Sequence, residues 1–294
     1  MSGNDSHQKL SPPEYASRFQ FLKLSFPYPH VLHVELNRKP VNAFSNEFWR
    51  EYGVAFSTIA RDTDVRVVVL SSAVKKAFSA GVDLSFLQSL PDASDPGRRA
   101  LLIRSTVLEF QKAIGTPQLC PQPVIAAVHG LAIGLGVDIL SACDIRWAAT
   151  DAVFSIKEVD VGLAADIGTL ARLPKLTGNA SLLLELALTA RNFGPEEAVQ
   201  VGMVSKVVPG SHDEVVSAAL EFAKGIAAKS PIAVAGTKHL IAHARDHTIQ
   251  ENLEYTAIWN GSMTQAPDMG DAARAALKRE KVAFAPLGKT DAKL

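Results

Sequence analysis

Net charge, cysteine and long apolar runs are what this sequence has least of, and each shortage excludes a class of protein. The 30 basic and 30 acidic side chains cancel, so charge gives no argument for a nucleic acid or a membrane surface as partner. No apolar run approaches the roughly 20 residues that cross a bilayer. Cys120 and Cys143 are too few for a disulfide framework and lack metal-ligand spacing. A reducing compartment is therefore the default expectation.

Short catalytic and metal-binding motifs are missing as well. The sequence has no G-x-S-x-G elbow, no P-loop and no H-E-x-x-H pair. The glycine-rich run at 130–136 fails the dinucleotide pattern G-x-G-x-x-G, because Ile139 stands where the third glycine is needed. His239, His243 and His247 recur at helical spacing, and we interpret this row as a surface stripe. We predict no metal site.

What the sequence does contain is an alternation of short apolar strands with helices. Hydrophobic residues make up 47% of the chain, enough for a large domain with a substantial core. The runs 65–70 and 123–128 are typical of buried strands, and Ser45 is placed to cap a helix. After Pro209 only helical patterns follow. The pattern predicts an α/β fold.

The same patterns divide the chain into four parts. Residues 1–18 are polar and predict a disordered arm, and residues 19–210 form the β/α core. Residues 211–285 form a helical region that we expect to serve assembly into a homo-oligomer. Residues 286–294 form a flexible tail that stops at Ala292-Lys293-Leu294, a variant of the Ser-Lys-Leu peroxisomal address. This tail predicts recognition by the peroxisomal import receptor and location in the peroxisome.

Three acidic residues are the candidate catalytic groups, and each has an ordinary structural alternative. Asp138 lies in a helix that is apolar on nearly every side, so it needs a partner or a raised pKa, or it is a hydrogen-bonded structural aspartate. Glu158 follows a strand, where it is otherwise one charge of a solvated loop. Asp166 precedes Gly168, where it is otherwise the N-cap of a short helix. The set argues more strongly for chemistry than any member does.

Two glycine-containing turns are candidates for binding an anion through backbone N–H groups. The turn at Gly134 opens a helix, whose first N–H groups are unpaired and carry the positive end of the helix dipole. The loop Ser79-Ala80-Gly81-Val82 follows a strand, and its alternative is an ordinary surface turn. Together the two turns suggest an oxyanion hole.

These segments carry a resemblance to a known family. AFSAGVDL at 77–84 and the run from Pro123 to Pro174 closely resemble the enoyl-CoA hydratase/isomerase (crotonase) superfamily, and the resemblance extends from about Phe19 to Val282. It implies a spiral of ββα units, a C-terminal helical trimerisation region, and trimers or hexamers. It also implies a coenzyme A thioester whose carbonyl accepts two backbone N–H bonds. By position these donors fall on Ala80 and Leu135, where the leucine departs from the family's usual glycine.

The acids decide which subfamily the chain resembles. Asp138, Glu158 and Asp166 in this arrangement resemble the dienoyl-CoA isomerases, whereas hydratases carry glutamate at the first two positions. The resemblance implies conversion of 3,5-dienoyl-CoA to 2,4-dienoyl-CoA in fatty-acid β-oxidation. Glu158 is then assigned as the base at C2 and Asp166 as the acid at C6, with the order in which they act left open, and Asp138 adjusts the electrostatics of the pocket. The alternatives are an enoyl-CoA hydratase, a Δ3,Δ2-enoyl-CoA isomerase, and a non-catalytic acyl-CoA-binding relative.

Such an isomerase needs no cofactor, because coenzyme A belongs to the substrate and no redox change or group transfer occurs. Basic residues near the two turns are candidates for meeting its phosphates, although each is otherwise a solvated surface charge. The predicted substrate-binding residues are Arg38, Lys39, Lys76, Ala80, Gly81, Val82, Asp83 and Leu84.

Overall fold

The computed structural model of the chain describes residues 10–83, 85–88 and 91–288. Leu84 and the predicted targeting residues 292–294 lie outside the described residues, as does the first half of the predicted arm. Within the described ranges, no helix has the length and apolar character needed to cross a membrane.

Within the described residues, nine strands form two sheets, and every pair of neighbouring strands except the first is parallel. The large sheet has the order β1-β2-β3-β5-β7-β9, in which only β1 and β2 are antiparallel. The small sheet has the order β4-β6-β8. The strands are β1 (Leu22–Tyr28), β2 (Val31–Leu36), β3 (Val67–Ser72), β4 (Ala77–Ser79), β5 (Val124–Val128), β6 (Leu131–Ile133), β7 (Ile145–Ala149), β8 (Val153–Ser155) and β9 (Lys206–Val208).

From β3 onward, consecutive strands alternate between the two sheets, which builds a spiral. β3, β5 and β7 belong to the large sheet, and the strand that follows each of them belongs to the small sheet. Helices then lead back to the large sheet, so each turn of the chain is a ββα unit. The fold class and spiral architecture predicted from the sequence are confirmed.

The described part of the chain also contains twelve α-helices and three short 3-10 helices. The 3-10 helices are Glu14–Arg18, Glu158–Val161 and Leu173–Lys175. The α-helices are α1 (Asn46–Ile59), α2 (Ser85–Gln88), α3 (Pro96–Ile114), α4 (Thr116–Leu119), α5 (Leu135–Ser141), α6 (Thr169–Arg172), α7 (Ala180–Thr189), α8 (Pro195–Gln200), α9 (His212–Ala227), α10 (Pro231–His243), α11 (Ile249–Met263) and α12 (Asp268–Lys278).

Both faces of the large sheet are covered by hydrophobic clusters. Val68 and Leu70 of β3 belong to the larger cluster, which includes the buried face of α1. Val67 and Val69 of the same strand belong to a second cluster on the opposite face. Because successive side chains of a strand point to opposite faces, a strand covered on both sides is apolar throughout. The prediction of buried strands at 65–70 and 123–128 is confirmed, with bounds shifted by at most two residues.

Helix α9, which follows the predicted boundary near residue 210, packs against the large sheet of the core. Val215, Ala219 and Ala223 are buried in the second cluster, where α9 packs against β2, β3, β5 and β7. The apolar periodicity of α9 is visible in the sequence, but periodicity does not identify the surface that a helix packs against. α10 is joined to the core by Lys238, whose Nζ lies 2.7 Å from Oδ2 of Asp144.

The predicted disordered arm is structured at its C-terminal end. Residues Glu14–Arg18 form a 3-10 helix, and the hydroxyl of Tyr15 donates to Oδ2 of Asp62 at 2.6 Å. The partner lies 47 residues away, so nothing local in the polar N-terminal sequence indicates the contact.

Candidate active site

The loop after β4 presents a free backbone N–H, but at a different residue from the one predicted. The N–H of Ala80 donates to the carbonyl of Val41 at 2.9 Å, and the N–H of Gly81 donates to Oγ of Ser79 at 3.1 Å. Over the residues described, the N–H of Val82 has no acceptor. The N–H of Ala80 is therefore already paired, and the N–H of Val82 is the available donor in this loop.

A single bridge between two loops explains why Val82 is left free. Phe44 donates its N–H to the carbonyl of Gly81 at 2.9 Å and accepts from the N–H of Asp83, also at 2.9 Å. This parallel bridge uses the residues on either side of Val82 and leaves its own N–H unpaired. The sequence around one segment alone does not show which N–H groups a bridge to a distant segment uses.

The second free donor is the N–H of Leu135, the first residue of α5. Gly134 precedes it with φ 51° and ψ −114° and provides no side-chain cap, so the N–H at Leu135 has no acceptor among the residues that the structure covers. A Cβ atom on Gly81 would lie 3.8 Å from the nitrogen of Leu135. The two free donors therefore come from neighbouring segments, as an oxyanion hole requires.

The departure from glycine at residue 135 is accommodated by the core. The side chain of Leu135 is 2% exposed and belongs to the larger hydrophobic cluster. Its bulk is therefore taken up by packing, while its backbone N–H remains free. A leucine here leaves the predicted donor in place.

Asp138 is the most deeply buried of the three acids. It is 1% exposed, and its Oδ1 accepts from both the N–H and the hydroxyl of Thr169, at 2.6 and 2.7 Å. Burial raises the pKa of Asp138 to about 6, although the bonds from Thr169 and the charge of Arg172 oppose the rise. Asp138 therefore has both features that the sequence suggested as alternatives, a raised pKa and hydrogen bonds in the core.

Glu158 lies against the turn that opens α5. Its Oε1 is 3.2 Å from the position that a Cβ atom on Gly134 would occupy, and its Oε2 is buried without a hydrogen-bond partner in the described structure. Burial, and then the charge of Asp138, raise the pKa of Glu158 to about 7. Lys157 pairs with Asp160 at 2.6 Å, so Glu158 is not one charge of a solvated loop.

Asp166 lies on the exposed side of the same cluster. The N-cap residue of α6 is Gly168, so the alternative role of Asp166 as that N-cap is wrong. Burial raises the pKa of Asp166, and its charge in turn raises the pKa of Asp138 and Glu158. The three carboxyl groups are therefore close enough to influence one another's ionisation.

The predicted phosphate-binding residues have different surroundings. Arg38 donates from Nη2 to Oδ2 of Asp83 at 2.8 Å and from Nη1 to the carbonyl of Ala43 at 2.5 Å. Arg38 and Asp83 thus hold together the two segments of the bridge around Val82, and this guanidinium is already occupied. Lys39 and Lys76 are exposed.

The cysteines and the histidine row have ordinary structural surroundings. Cys120 and Cys143 are free and buried, and burial raises the pKa of each thiol to about 12. In the ranges that the structure covers, no group of three His, Cys, Asp or Glu residues could hold a metal ion. His239 instead stacks on Trp259, with ring centroids 4.4 Å apart.

Sequence reasoning missed two residues that shape the site. Asn42 is buried with φ 52°, and its Nδ2 donates to Oγ of Ser72 and to the carbonyl of Phe78. Thr169 lies 31 residues from its partner Asp138. The one available signal was for Asn42, since asparagine adopts left-handed backbone more readily than other non-glycine residues.

We expect Gly134→Ala to lower the free energy of unfolding by at least about 1–2 kcal/mol, because a side chain is strained at positive φ and its Cβ would press on Glu158. The matched control is Gly178→Ala, since a Cβ there meets nothing within 4 Å. Urea unfolding of both variants measures the difference. Equal stability of the two variants would contradict the tight approach at Gly134.

The chain is similar to known proteins over most of its length. The family described as Enoyl-CoA hydratase/isomerase matches residues 28–284. The mitochondrial Delta(3,5)-Delta(2,4)-dienoyl-CoA isomerase of Rattus norvegicus is 44% identical over 283 residues, covering 95% of this chain and 86% of that protein. The peroxisomal protein of that name from Arabidopsis thaliana is 43% identical over 262 residues, covering 87% and 93%.

Solved structures agree with the sequence relatives on the fold. The crystal structure of an enoyl-CoA hydratase from Bacillus anthracis superposes with a TM-score of 0.81 at 28% identity, covering 90% of this chain and 99% of that one. The spiral of ββα units and the two turns with free N–H groups are thus found in a chain that matches one family over most of its length. This chain belongs to the enoyl-CoA hydratase/isomerase family.

Proposed function

We propose that this protein converts 3,5-dienoyl-CoA to 2,4-dienoyl-CoA in the oxidation of unsaturated fatty acids. The observation that carries the proposal is the set of three interacting carboxyl groups beside two free backbone N–H groups. Relatives 43–46% identical that are named dienoyl-CoA isomerases support the same reaction.

The free N–H groups of Val82 and Leu135 bind the thioester oxygen in this proposal. Removing a proton next to a thioester places negative charge on that oxygen, and donors aimed at developing charge stabilise the transition state. Losing one such donor costs about 10²–10³-fold in rate. The positive end of the α5 dipole adds to the field at Leu135.

Glu158 is the base at C2. C2 is bonded to the thioester carbonyl carbon, so it lies next to the oxygen that the N–H of Leu135 binds, and Glu158 contacts the turn at Gly134. A pKa of about 7 lets the carboxyl group accept and release a proton near neutral pH.

Asp166 is the acid at C6, at the far end of the dienolate. A single carboxylate does not easily serve two carbons separated by four bonds, so a second acid at a different depth is needed. Asp166 is exposed whereas Asp138 is buried, so Asp166 can exchange protons with solvent. Asp138 tunes the electrostatics and is not assigned a proton-transfer step.

The proposed reaction moves one proton and two double bonds within one molecule, so it requires no cofactor. Coenzyme A enters as part of the substrate. The exposed ammonium groups of Lys39 and Lys76 are the candidates for contacts with its phosphates, while Arg38 orders the loop of Val82 through Asp83.

The first test is ultraviolet absorbance of the purified protein with a 3,5-dienoyl-CoA in one cuvette and a 2-enoyl-CoA in another. We expect a rising long-wavelength band of the conjugated 2,4-dienoyl thioester, with the enoyl spectrum nearly unchanged. Loss of the enoyl band without a diene signal would make the protein a hydratase. No change in either cuvette, together with binding of acyl-CoA, would make it a non-catalytic binding protein.

We expect Asp166→Asn to abolish diene formation while acyl-CoA affinity changes little, because an amide cannot donate the C6 proton and Asp166 binds no part of the coenzyme in this proposal. Absorbance gives the rate, and calorimetric titration with a saturated acyl-CoA gives the affinity. Persistent turnover in this variant would refute the role of Asp166.

We also propose a homo-oligomer, a trimer or a dimer of trimers, built through the C-terminal helices. Large apolar side chains on these helices are exposed in the single chain, among them Ile241, Ile258 and Leu277 at 58%, 71% and 87%. Exposed apolar surface of this kind is typical of assembly. The size of the assembly is measurable by light scattering.

For location we propose the peroxisome, reached through the import receptor. The Arabidopsis relative is named peroxisomal, whereas the mammalian relatives are named mitochondrial. The feature of this chain that supports the peroxisome is Ala292-Lys293-Leu294. We expect deletion of these three residues to leave isomerase activity intact and to release a fluorescent fusion from peroxisomes into the cytosol. Continued import of the deleted protein would contradict the assignment.

A further inference from the structure

Thr169 makes both of the hydrogen bonds that Asp138 receives from α6. Its N–H and its hydroxyl donate to the same oxygen, Oδ1, at 2.6 and 2.7 Å, and Thr169 is fully buried. Hydrogen bonds to an ionised group are shorter and stronger than those between neutral groups. The two hydrogen bonds therefore favour the charged form of Asp138, whereas burial disfavours that form.

Other charged groups both lower and raise the pKa of Asp138. Arg172, on the same helix as Thr169, favours the anion, whereas Asp166 opposes it. The guanidinium of Arg172 is positioned by Gln118, whose Oε1 accepts from Nε at 3.0 Å. Glu158 is the acid on which the charge of Asp138 acts.

We propose that Thr169 is a positioning residue whose hydroxyl keeps Asp138 anionic and so sets the proton affinity of Glu158. This inference rests on the proposed function, since it explains how the base of that reaction is tuned. Thr169 itself touches no reacting atom in this account.

The coupling has a definite sign. An anionic Asp138 raises the pKa of Glu158, so Glu158 stays protonated up to a higher pH. Without the hydroxyl, we expect the ionisation constant of Asp138 to fall about ten-fold, the usual effect of losing one hydrogen bond to a charged group. Asp138 then stays neutral to higher pH, and Glu158 ionises at lower pH.

Two substitutions separate the hydroxyl from the shape of the side chain. Thr169→Val keeps the branched shape and the backbone N–H, and Thr169→Ser keeps the hydroxyl. The control Thr116→Val removes another buried hydroxyl, which donates to the carbonyl of Ala113 at 2.6 Å and to no acid.

The first measurement is urea unfolding of Thr169→Val and Thr169→Ser at pH 5 and pH 8. Asp138, with a folded pKa of about 6, is mostly protonated at pH 5 and ionised at pH 8, and the hydroxyl stabilises the ionised form more. We expect the unfolding constant of Thr169→Val, divided by that of Thr169→Ser, to be about ten-fold larger at pH 8 than at pH 5. A ratio that is the same at both pH values would overturn the proposal.

The second measurement is the pH dependence of kcat/KM for diene formation. In Thr169→Val we expect the acidic limb to move to lower pH, with kcat reduced and KM little changed. In Thr169→Ser and Thr116→Val the limb should stay at the wild-type position. An unmoved limb in Thr169→Val would overturn the coupling to Glu158. A wild-type protein without isomerase activity would instead overturn the proposed function, and the unfolding measurement would still decide whether Thr169 holds Asp138 anionic.

Discussion

The proposed reaction needs two backbone N–H groups that stay unpaired at a partly buried surface, and much of the described site is arranged around that constraint. An unpaired buried donor costs about 1–3 kcal/mol, so the chain around it has to be held by other contacts. At Val82 the bridge to Phe44 and the ion pair between Arg38 and Asp83 provide them. At Leu135 the positive φ of Gly134 and the buried leucine side chain provide them.

The same arrangement explains the unusual ionisation of the acids. The turn at Gly134 brings Glu158 against the start of α5, and α5 also carries Asp138. Burial raises the pKa of both groups into the range where protons exchange near neutral pH, and repulsion adds to the rise, from Asp166 at Asp138 and from Asp138 and Asp166 at Glu158. Thr169 and Arg172 limit this rise at Asp138, so the two acids differ although they are close together.

Much of the fold followed from local patterns, because strands covered on both faces are apolar throughout and helix caps are local. Ser45, for example, caps α1 by accepting from the N–H of Phe48. Asp138 was identified by the cost of placing a carboxylate in an apolar helix, and it is indeed buried. These inferences needed no knowledge of distant contacts.

The features that local patterns did not reveal depend on contacts that join distant segments. The free donor at Val82 instead of Ala80 depends on bonds to Val41 and Phe44, about 40 residues earlier in the sequence. The membership of α9 in the core depends on which sheet it meets, and the pairing of Arg38 with Asp83 depends on the same two loops. Local sequence patterns do not show contacts between segments that lie far apart in the sequence.

In the proposed reaction two different acids handle the proton, Glu158 at C2 and Asp166 at C6. The decisive measurement is a single turnover of a 3,5-dienoyl-CoA with excess enzyme in D₂O, with mass spectrometry to count the deuterium and NMR to locate it. Because Asp166 is exposed and equilibrates with solvent, we expect a 2,4-dienoyl product with one deuterium at C6. A product without deuterium would mean that one group carries the same proton from C2 to C6, and this result would refute the two-acid mechanism.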